Sequence, residues 1–151
     1  MATVEETMMK VQRILTGPMN LRVQLDKDSF LVRFTDMSTS VRVRIQDWGA
    51  DPEGDPRSLV LISSPLLRNV KPTPALFEWI ARLGGSKWFG HIEVYDEGDT
   101  GLVFLMMSHT LLGDYLDEEE LKSAMWAVLG TADDWDDELQ KKFGGKRWAD
   151  E

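Results

Sequence analysis

The stretch from residue 117 to residue 145 constrains the fold most, because it contains signals for the start and the end of helices. Asp117 can cap a helix whose first turn holds three glutamates. Carboxylates in the first turn are stabilised by the positive end of the helix dipole. Gly130 is expected to end this helix, and Thr131 to start a second one that a glycine pair closes. The second helix has an apolar stripe at positions i, i+4 and i+8, formed by Trp135, Leu139 and Phe143. This stripe predicts that the helices pack on a core.

The remaining sequence predicts two further helices and a set of strands. The first helix begins at Thr3, where Glu6 completes a capping box. A middle helix begins at Thr73, with Pro74 at its first position, where the missing N–H is not needed. Alternating or continuous apolar residues predict strands at residues 21–25, 30–34, 41–45, 59–62, 89–95 and 102–107.

This order of elements predicts an α+β fold with an antiparallel sheet flanked by helices. Consecutive strands that are linked by short turns favour antiparallel pairing, and helices grouped against one face of the sheet are typical of this class. We expect the order α-β-β-β-α-β-β-α-α. Residues 21–34 are either one bent strand or two strands joined by a turn at residues 26–28, and the second case adds a fourth strand before the middle helix. Residues 1–145 are expected to form a single domain, and residues 146–151 a flexible C-terminal tail.

Charge and composition narrow the classes of function. The net charge of −9 would repel a phosphate backbone, so we expect no nucleic-acid partner. The chain has no cysteine, which excludes disulfides, thiol nucleophiles and thiolate metal sites and fits a reducing compartment. We find neither a secretory leader nor an apolar run of about 18 residues, so we expect a cytoplasmic protein without a membrane partner.

Acidic residues are concentrated late in the sequence, where ten carboxylates and a single lysine lie between residues 114 and 138. Solvated outer faces of the predicted helices explain this excess. The alternative is that these carboxylates form an acidic surface for a basic partner.

No motif predicts catalysis. The two histidines, His91 and His109, are too few for most metal or acid–base sites, and His91 is expected on the solvent side of its strand. The acidic segments 51–55 and 96–99 lack the ligand spacing of an EF-hand, and no phosphate-binding glycine motif is present. We therefore predict a protein that is not an enzyme and has no catalytic residue, cofactor or metal. An enzyme that uses the carboxylates of segment 96–99 is an alternative, which a deep polar pocket would favour.

Two groups of residues are candidates for binding a partner protein. Arg33, Arg42 and Arg44 lie at strand positions opposite the apolar ones and predict a basic row. Trp48 would extend this row as a stacking anchor. Ordinary cross-strand pairing with local acids explains the same arginines. The strand at 102–107 is apolar at both parities, so one of its faces needs a partner to cover it, and its candidate contact residues are Val103, Leu105 and Met107.

Somewhat more than the second half of the chain resembles a known family. The helix LFEWIARLGG, the segment FGHIEVYDEGDTGLVFLMMSHTLLGDYL and the ending TADDWDDELQKKFGG are similar to the type III secretion chaperone-like fold, in particular to its YbjN-like branch. The resemblance implies a non-enzymatic protein, commonly dimeric, whose relatives hold other proteins in extended form along their surface.

We therefore predict a homodimeric chaperone-like or adaptor module that binds an extended segment of a client protein or peptide. The alternative is a regulatory protein whose acidic helices engage a basic partner.

Overall fold

Three α-helices and six strands make up the fold in the computed structural model, which describes residues 3–151. In chain order the elements are α1 (Val4–Thr16), β1 (Gln24–Asp26), β2 (Ser29–Arg33), β3 (Ser40–Ala50), β4 (Pro56–Val70), α2 (Pro74–Leu83), β5 (His91–Asp96), β6 (Val103–Leu112) and α3 (Glu118–Phe143), followed by a short 3-10 helix, Trp148–Asp150. The predicted α+β class is confirmed. Four strands precede α2, because a turn at Lys27 and Asp28, in which Lys27 has φ of 54°, separates β1 from β2.

The six strands form one antiparallel sheet in the order β1-β2-β3-β4-β6-β5. β4 is 15 residues long and pairs with β3 on one side and β6 on the other. The sequence predicts only residues 59–62 of it, because Ser63, Ser64 and Pro65 interrupt the apolar pattern. The pairing of β4 with β6 shifts register after Pro65 and again after Leu67, so the strand continues past the proline as an irregular strand.

Helices α1 and α3 cover one face of the sheet, and this covered face contains the core. Val43, Ile62 and Leu105 lie there without exposed surface, under Leu15 of α1 and Leu129 of α3. Helix α2 lies at the β5 side of the sheet, where the N–H of Ile92 donates to the carbonyl of Gly84. The ring of Trp79 in α2 meets Trp135 of α3 edge to face at 5.3 Å.

The helix pair predicted for residues 117–143 is wrong in one respect, because α3 is one continuous helix. Gly130 lies inside it, and Thr131 is not an N-cap. Leu129 before the glycine and Ala132 and Trp135 after it are buried, and this burial favours a continuous helix. The stabilisation from this burial outweighs the roughly 1 kcal/mol that a glycine costs in a helix interior.

The other predicted caps are confirmed. Thr3 and Glu6 form the reciprocal capping box at the start of α1, and the side chain of Asp117 accepts from the N–H of Glu120 at 2.8 Å. Thr73 caps α2. The start of each helix is therefore fixed by a side chain that the sequence identifies.

Candidate functional site

The face of the sheet turned away from α1 and α3 has no α-helix over it in the described part of the chain, and we call it the open face. The 3-10 helix Trp148–Asp150 reaches one end of this face. Antiparallel partners that stand directly opposite each other share a face, so the register assigns its members. Arg42 pairs with Leu31 and Ser63, Pro65 pairs with Met106, and Met106 pairs with Glu93. The open face also includes Arg33, Arg44, Leu61, Tyr95, Phe104 and Ser108.

Three adjoining depressions form a groove along the open face, which we call the open-face groove. The central depression, of about 250 Å³, is lined by Arg42, Arg44, Leu61, Tyr95, Met106 and neighbouring backbone. A second, of about 330 Å³, shares Arg42 and Met106 with the first and extends to Arg33 and Trp148. A third, of about 650 Å³, shares Trp148 with the second and reaches Phe104 and Glu97. The groove therefore crosses strands β2 to β6.

Apolar side chains form part of the floor of the groove. Leu61, Phe104 and Met106 are half-buried, and the ring of Tyr95 lies 6.4 Å from that of Phe104, measured between centroids. Half-buried apolar side chains on a sheet without a covering helix leave apolar area in contact with water, and such area is typical of a binding surface.

Guanidinium groups line the same groove, and two of them have no acidic partner. Arg42 donates to the Ser29 hydroxyl at 2.7 Å and pairs with the exposed carboxylate of Asp26 at 3.4 Å. Within residues 3–151, neither Arg33 nor Arg44 forms an ion pair; Arg44 donates to the amide oxygen of Gln46 at 2.9 Å. The first two depressions therefore present positive charge on a protein whose net charge is −9. The third is lined by Asp96, Glu97 and Glu151 beside Arg68.

Glu93 is an acidic group on the open face, and its hydrogen bonds keep it ionised. Burial by itself raises the pKa of Glu93, but hydrogen bonds from Ser108 and Tyr95 and the nearby charges of His91 and Arg44 outweigh this effect, so the pKa is lower than usual. The hydrogen bond between Tyr95 and Glu93 also raises the pKa of Tyr95. Glu93 is thus already engaged by its neighbours.

The predicted basic row lies in the groove, whereas Trp48 does not. Arg33, Arg42 and Arg44 all line depressions of the open face, which brings the three predicted arginines together. Trp48 lies further along β3, half exposed, with the guanidinium of Arg57 stacked 4.9 Å from its ring centroid. Its predicted role as a stacking anchor for a partner stays a prediction.

The predicted apolar contacts of β6 lie on the opposite side of the sheet from the groove. Val103, Leu105 and Met107 are on the covered face, with 4%, 0% and 0% of their surfaces exposed. They are core residues that a partner could reach only if α3 moved away. The alternate residues, Phe104 and Met106, reach the groove instead. The sequence could not distinguish the two sets, because both are apolar and a strand by itself does not show which face a helix covers.

The two histidines have separate positions. His91 is exposed on the strand face predicted for it. His109 accepts a hydrogen bond from the N–H of Gly90 at its Nδ1 atom, and burial together with the charge of His91 lowers the pKa of His109. In the part of the chain that the structure describes, no three His, Cys, Asp or Glu side chains are grouped so that they could hold a metal ion. None of the helices there combines the length and the apolar character needed to cross a membrane.

Comparisons with known proteins identify relatives of this chain. Residues 5–151 match the family TY-Chap1, described as T3SS (YopN, CesT) and YbjN peptide-binding chaperone 1. Among solved structures, YbjN from E. coli superposes with a TM-score of 0.63 at 10% sequence identity, covering 89% of this chain and 93% of that one. A chain of the ExsC–ExsE complex superposes with a TM-score of 0.60 at 20% identity, covering 86% of this chain and 93% of its own. At these identities the two structures establish a shared fold. No curated protein sequence is significantly similar to the chain.

Proposed function

Because the chain belongs to the TY-Chap1 family of T3SS and YbjN peptide-binding chaperones, we propose that it holds an extended segment of a partner protein in the open-face groove. The observation that supports this most is the groove itself, which runs over β2 to β6 without a covering helix and combines apolar floor residues with unpaired guanidinium groups. A second structural likeness, to a chain of the ExsC–ExsE complex, is in keeping with a fold that binds another protein.

The shape and composition of the groove suit an extended chain better than a folded domain or a small molecule. An extended segment presents alternate side chains to a surface, so that residues two apart can reach successive depressions of the groove. Met106 and Phe104 offer apolar contacts, while Arg33 and Arg44 offer donors that form no ion pair with a carboxylate of residues 3–151. We propose that this binding is not accompanied by catalysis.

We further propose that the protein is a homodimer in the cytoplasm. Several large apolar side chains are exposed around α2 and the edge strand β5, and a second copy of the chain would cover them. They are Phe77, Leu83, Trp88, Phe89 and Val94. Sedimentation equilibrium at micromolar concentration tests the dimer. A Trp88→Ser variant should shift the equilibrium toward monomer, and a wild-type protein that remains monomeric would contradict the proposal.

A pair of methionine variants tests the binding site. Met106→Asp places a charge on the floor of the groove, and Met9→Asp places the same charge on the exposed surface of α1, where Met9 is 66% exposed. A panel of fluorescein-labelled unstructured peptides, measured by anisotropy, should bind wild type and Met9→Asp equally and bind Met106→Asp at least about tenfold more weakly. The new carboxylate removes an apolar contact and would occupy Arg42 or Arg44, which line the same depression. Equal binding by all three proteins would show that the groove is not the site.

The alternative, a regulatory protein that engages a basic partner through its acidic helices, has less free acidic surface than the sequence indicates. Asp133 and Asp136 accept hydrogen bonds from Ser38, and Asp137 pairs with Arg147. The two functions differ in their dependence on salt. Binding by the acidic surface should weaken steeply from low to high salt, whereas groove binding retains its apolar part.

A further inference from the structure

The chain beyond α3 crosses the end of the sheet and reaches the open face. Gly144 and Gly145 have φ values of 76° and 90°, which side chains other than glycine rarely adopt. A Cβ atom on Gly145 would lie 2.7 Å from the backbone oxygen of Arg68. The glycine pair therefore permits a sharp turn in direct contact with the end of β4, and this turn brings the following residues to the groove.

Residues 146–151, for which the sequence predicts a flexible tail, make defined contacts with the fold; we call them the 146–151 segment. Lys146 and Arg68 exchange two backbone hydrogen bonds of 2.8 Å each. Arg68 lies within the second register break of β4, between Leu67 and Val70, and this break leaves its backbone free for the pairing. Further along, the N–H of Ala149 donates to the carbonyl of Ser38 at 3.0 Å, and Arg147 pairs with Asp150 at 3.0 Å.

The 146–151 segment contributes an aromatic ring and a carboxylate to the groove. Trp148 lines both the second and the third depressions, with the guanidinium of Arg33 at 5.5 Å from its ring centroid. Glu151 lies in the third depression and accepts a hydrogen bond of 3.2 Å from Arg68. One end of the groove is thus lined by an aromatic residue and, three positions later, by a carboxylate, while the carboxylate of Asp150 between them pairs with Arg147.

We propose that the 146–151 segment is an intramolecular substitute for the partner, and that the partner segment has the same chemistry, an aromatic side chain followed by carboxylates. This inference rests on the proposed function of the groove. The aromatic ring would stack on the guanidinium of Arg33. The carboxylates would pair with Arg44 and, in place of Glu151, with Arg68, whose other ion pair, with Glu97 at 3.3 Å, would remain.

Charge and packing together favour this partner over a basic or purely apolar one. Arg33 and Arg44 have no ion-pair partner within the described residues, so an incoming carboxylate would not have to displace an existing one. The acidic groups nearest to them are already engaged, Glu93 by Tyr95 and Asp26 by Arg42. A basic segment would place its charges against unpaired guanidinium groups.

The substitute can be displaced because its contacts on the open face are exposed. The Arg68–Glu151 ion pair has both side chains more than a third exposed, and pairs of this kind contribute little to stability. The partner can bind only those molecules in which the segment has left the groove. The apparent affinity therefore equals the affinity of the open groove multiplied by the fraction of molecules that are open. A segment docked in nine of ten molecules would weaken binding about tenfold.

The experiment uses the full chain and a fluorescein-labelled synthetic peptide that copies residues 143–151. Anisotropy titrations compare wild type with Trp148→Ala, and Tyr115→Ala serves as the control because Tyr115 is an aromatic residue that is 67% exposed and lies outside the groove. We expect the peptide to bind Trp148→Ala about tenfold more tightly than wild type or Tyr115→Ala. Two altered peptides are also titrated, one with Trp148→Ala and one with both Asp150→Lys and Glu151→Lys. Each should bind the Trp148→Ala protein at least about tenfold more weakly than the parent peptide does.

Three results would overturn the inference. They are equal affinity of the parent peptide for wild type and Trp148→Ala, equal affinity of the parent and charge-reversed peptides, and no binding to Trp148→Ala. Arg44→Glu gives an independent test of the groove, because Arg44 bonds to Gln46 and, within the described residues, makes no hydrogen bond or ion pair with the 146–151 segment; this change should abolish peptide binding. If neutral or basic peptides bind in a manner that depends on Met106 but not on Trp148, the proposed function stands and this inference fails.

Discussion

Asp136 is completely buried in α3, and its Oδ2 atom accepts a hydrogen bond of 2.6 Å from the Ser38 hydroxyl. The same hydroxyl lies 2.7 Å from Oδ1 of Asp133, whereas Oδ1 of Asp136 has no hydrogen-bond partner in the described part of the chain. One hydroxyl proton can satisfy only one of two carboxylates, so a proton on Asp136 makes the arrangement favourable. Burial raises the pKa of Asp136 to about 6; Asp137 and Asp133 act in the same direction, against the Ser38 hydrogen bond and Arg147.

Asp136→Asn should therefore reduce the loss of stability at high pH. A folded-state pKa above the ordinary 3.8 means that the folded protein binds this proton more tightly than the unfolded chain. This stabilisation is complete below about pH 4 and is lost as the pH rises through about 6, which amounts to roughly 1 to 2 kcal/mol between pH 5 and pH 8. Urea unfolding at both pH values should show that loss in wild type and in the exposed control Asp134→Asn, but not in Asp136→Asn. An unchanged pH dependence would mean that Asp136 does not titrate in this range.

Trp135→Ala should lower the free energy of unfolding by about 3 to 5 kcal/mol, as expected for a large-to-small change in a core. Trp135 is 8% exposed and packs edge to face against Trp79, so its removal also weakens the contact between α3 and α2. Urea midpoints of this variant and of Tyr115→Ala, a truncation of an exposed aromatic residue, provide the comparison. Equal midpoints would show that the second half of α3 is not docked on the core.

Gly130→Ala should stabilise the protein by about 0.5 to 1 kcal/mol, because alanine is the better residue in a helix interior. A Cβ atom at this position would meet no atom within 4 Å, so no steric cost offsets the gain. Thermal unfolding followed by circular dichroism measures the change. A lower midpoint would indicate that Gly130 ends a helix, as the sequence alone suggests.

Gly145→Ala should detach the 146–151 segment from the sheet while leaving the domain folded. The added Cβ would clash with the backbone oxygen of Arg68, and the φ of 90° is strained for alanine. We expect faster hydrogen exchange at the amides of Lys146 and Arg68, because in the wild type each of these N–H groups donates to the carbonyl of the other residue. Amides in β3 should be unaffected, and protection that is retained at Lys146 would contradict the role given to Gly145.

Local signals made the helices predictable, and tertiary packing explains where the prediction was wrong. Thr3, Thr73 and Asp117 were identified as caps because a cap depends on residues within one turn. Gly130 was misread as a helix end because its local signal is outweighed by the burial of residues on either side of it. The length of β4 was missed for a related reason, since its second half is fixed by pairing with β6 and not by its own alternation.

Part of the candidate site was also predictable from the sequence. Arg33, Arg42 and Arg44 were grouped correctly because period-two alternation places them on one side of neighbouring strands. The contribution of β6 depended on which side the helices cover, and the sequence around residues 102–107 does not contain that information. Trp148 was missed because it lies in a segment that appears unstructured when read locally, and only the turn at the glycine pair brings it near Arg33.

The division of the sheet into a covered face and an open face separates two demands on the same strands. β2, β3, β4 and β6 each contribute one set of side chains to the interior and the alternate set to the groove. Substitutions in the outward set should therefore change the groove with little effect on the packing of the interior. The same separation makes the scaffold suitable for engineering, because the outward positions can be randomised as a library while the inward ones are kept constant.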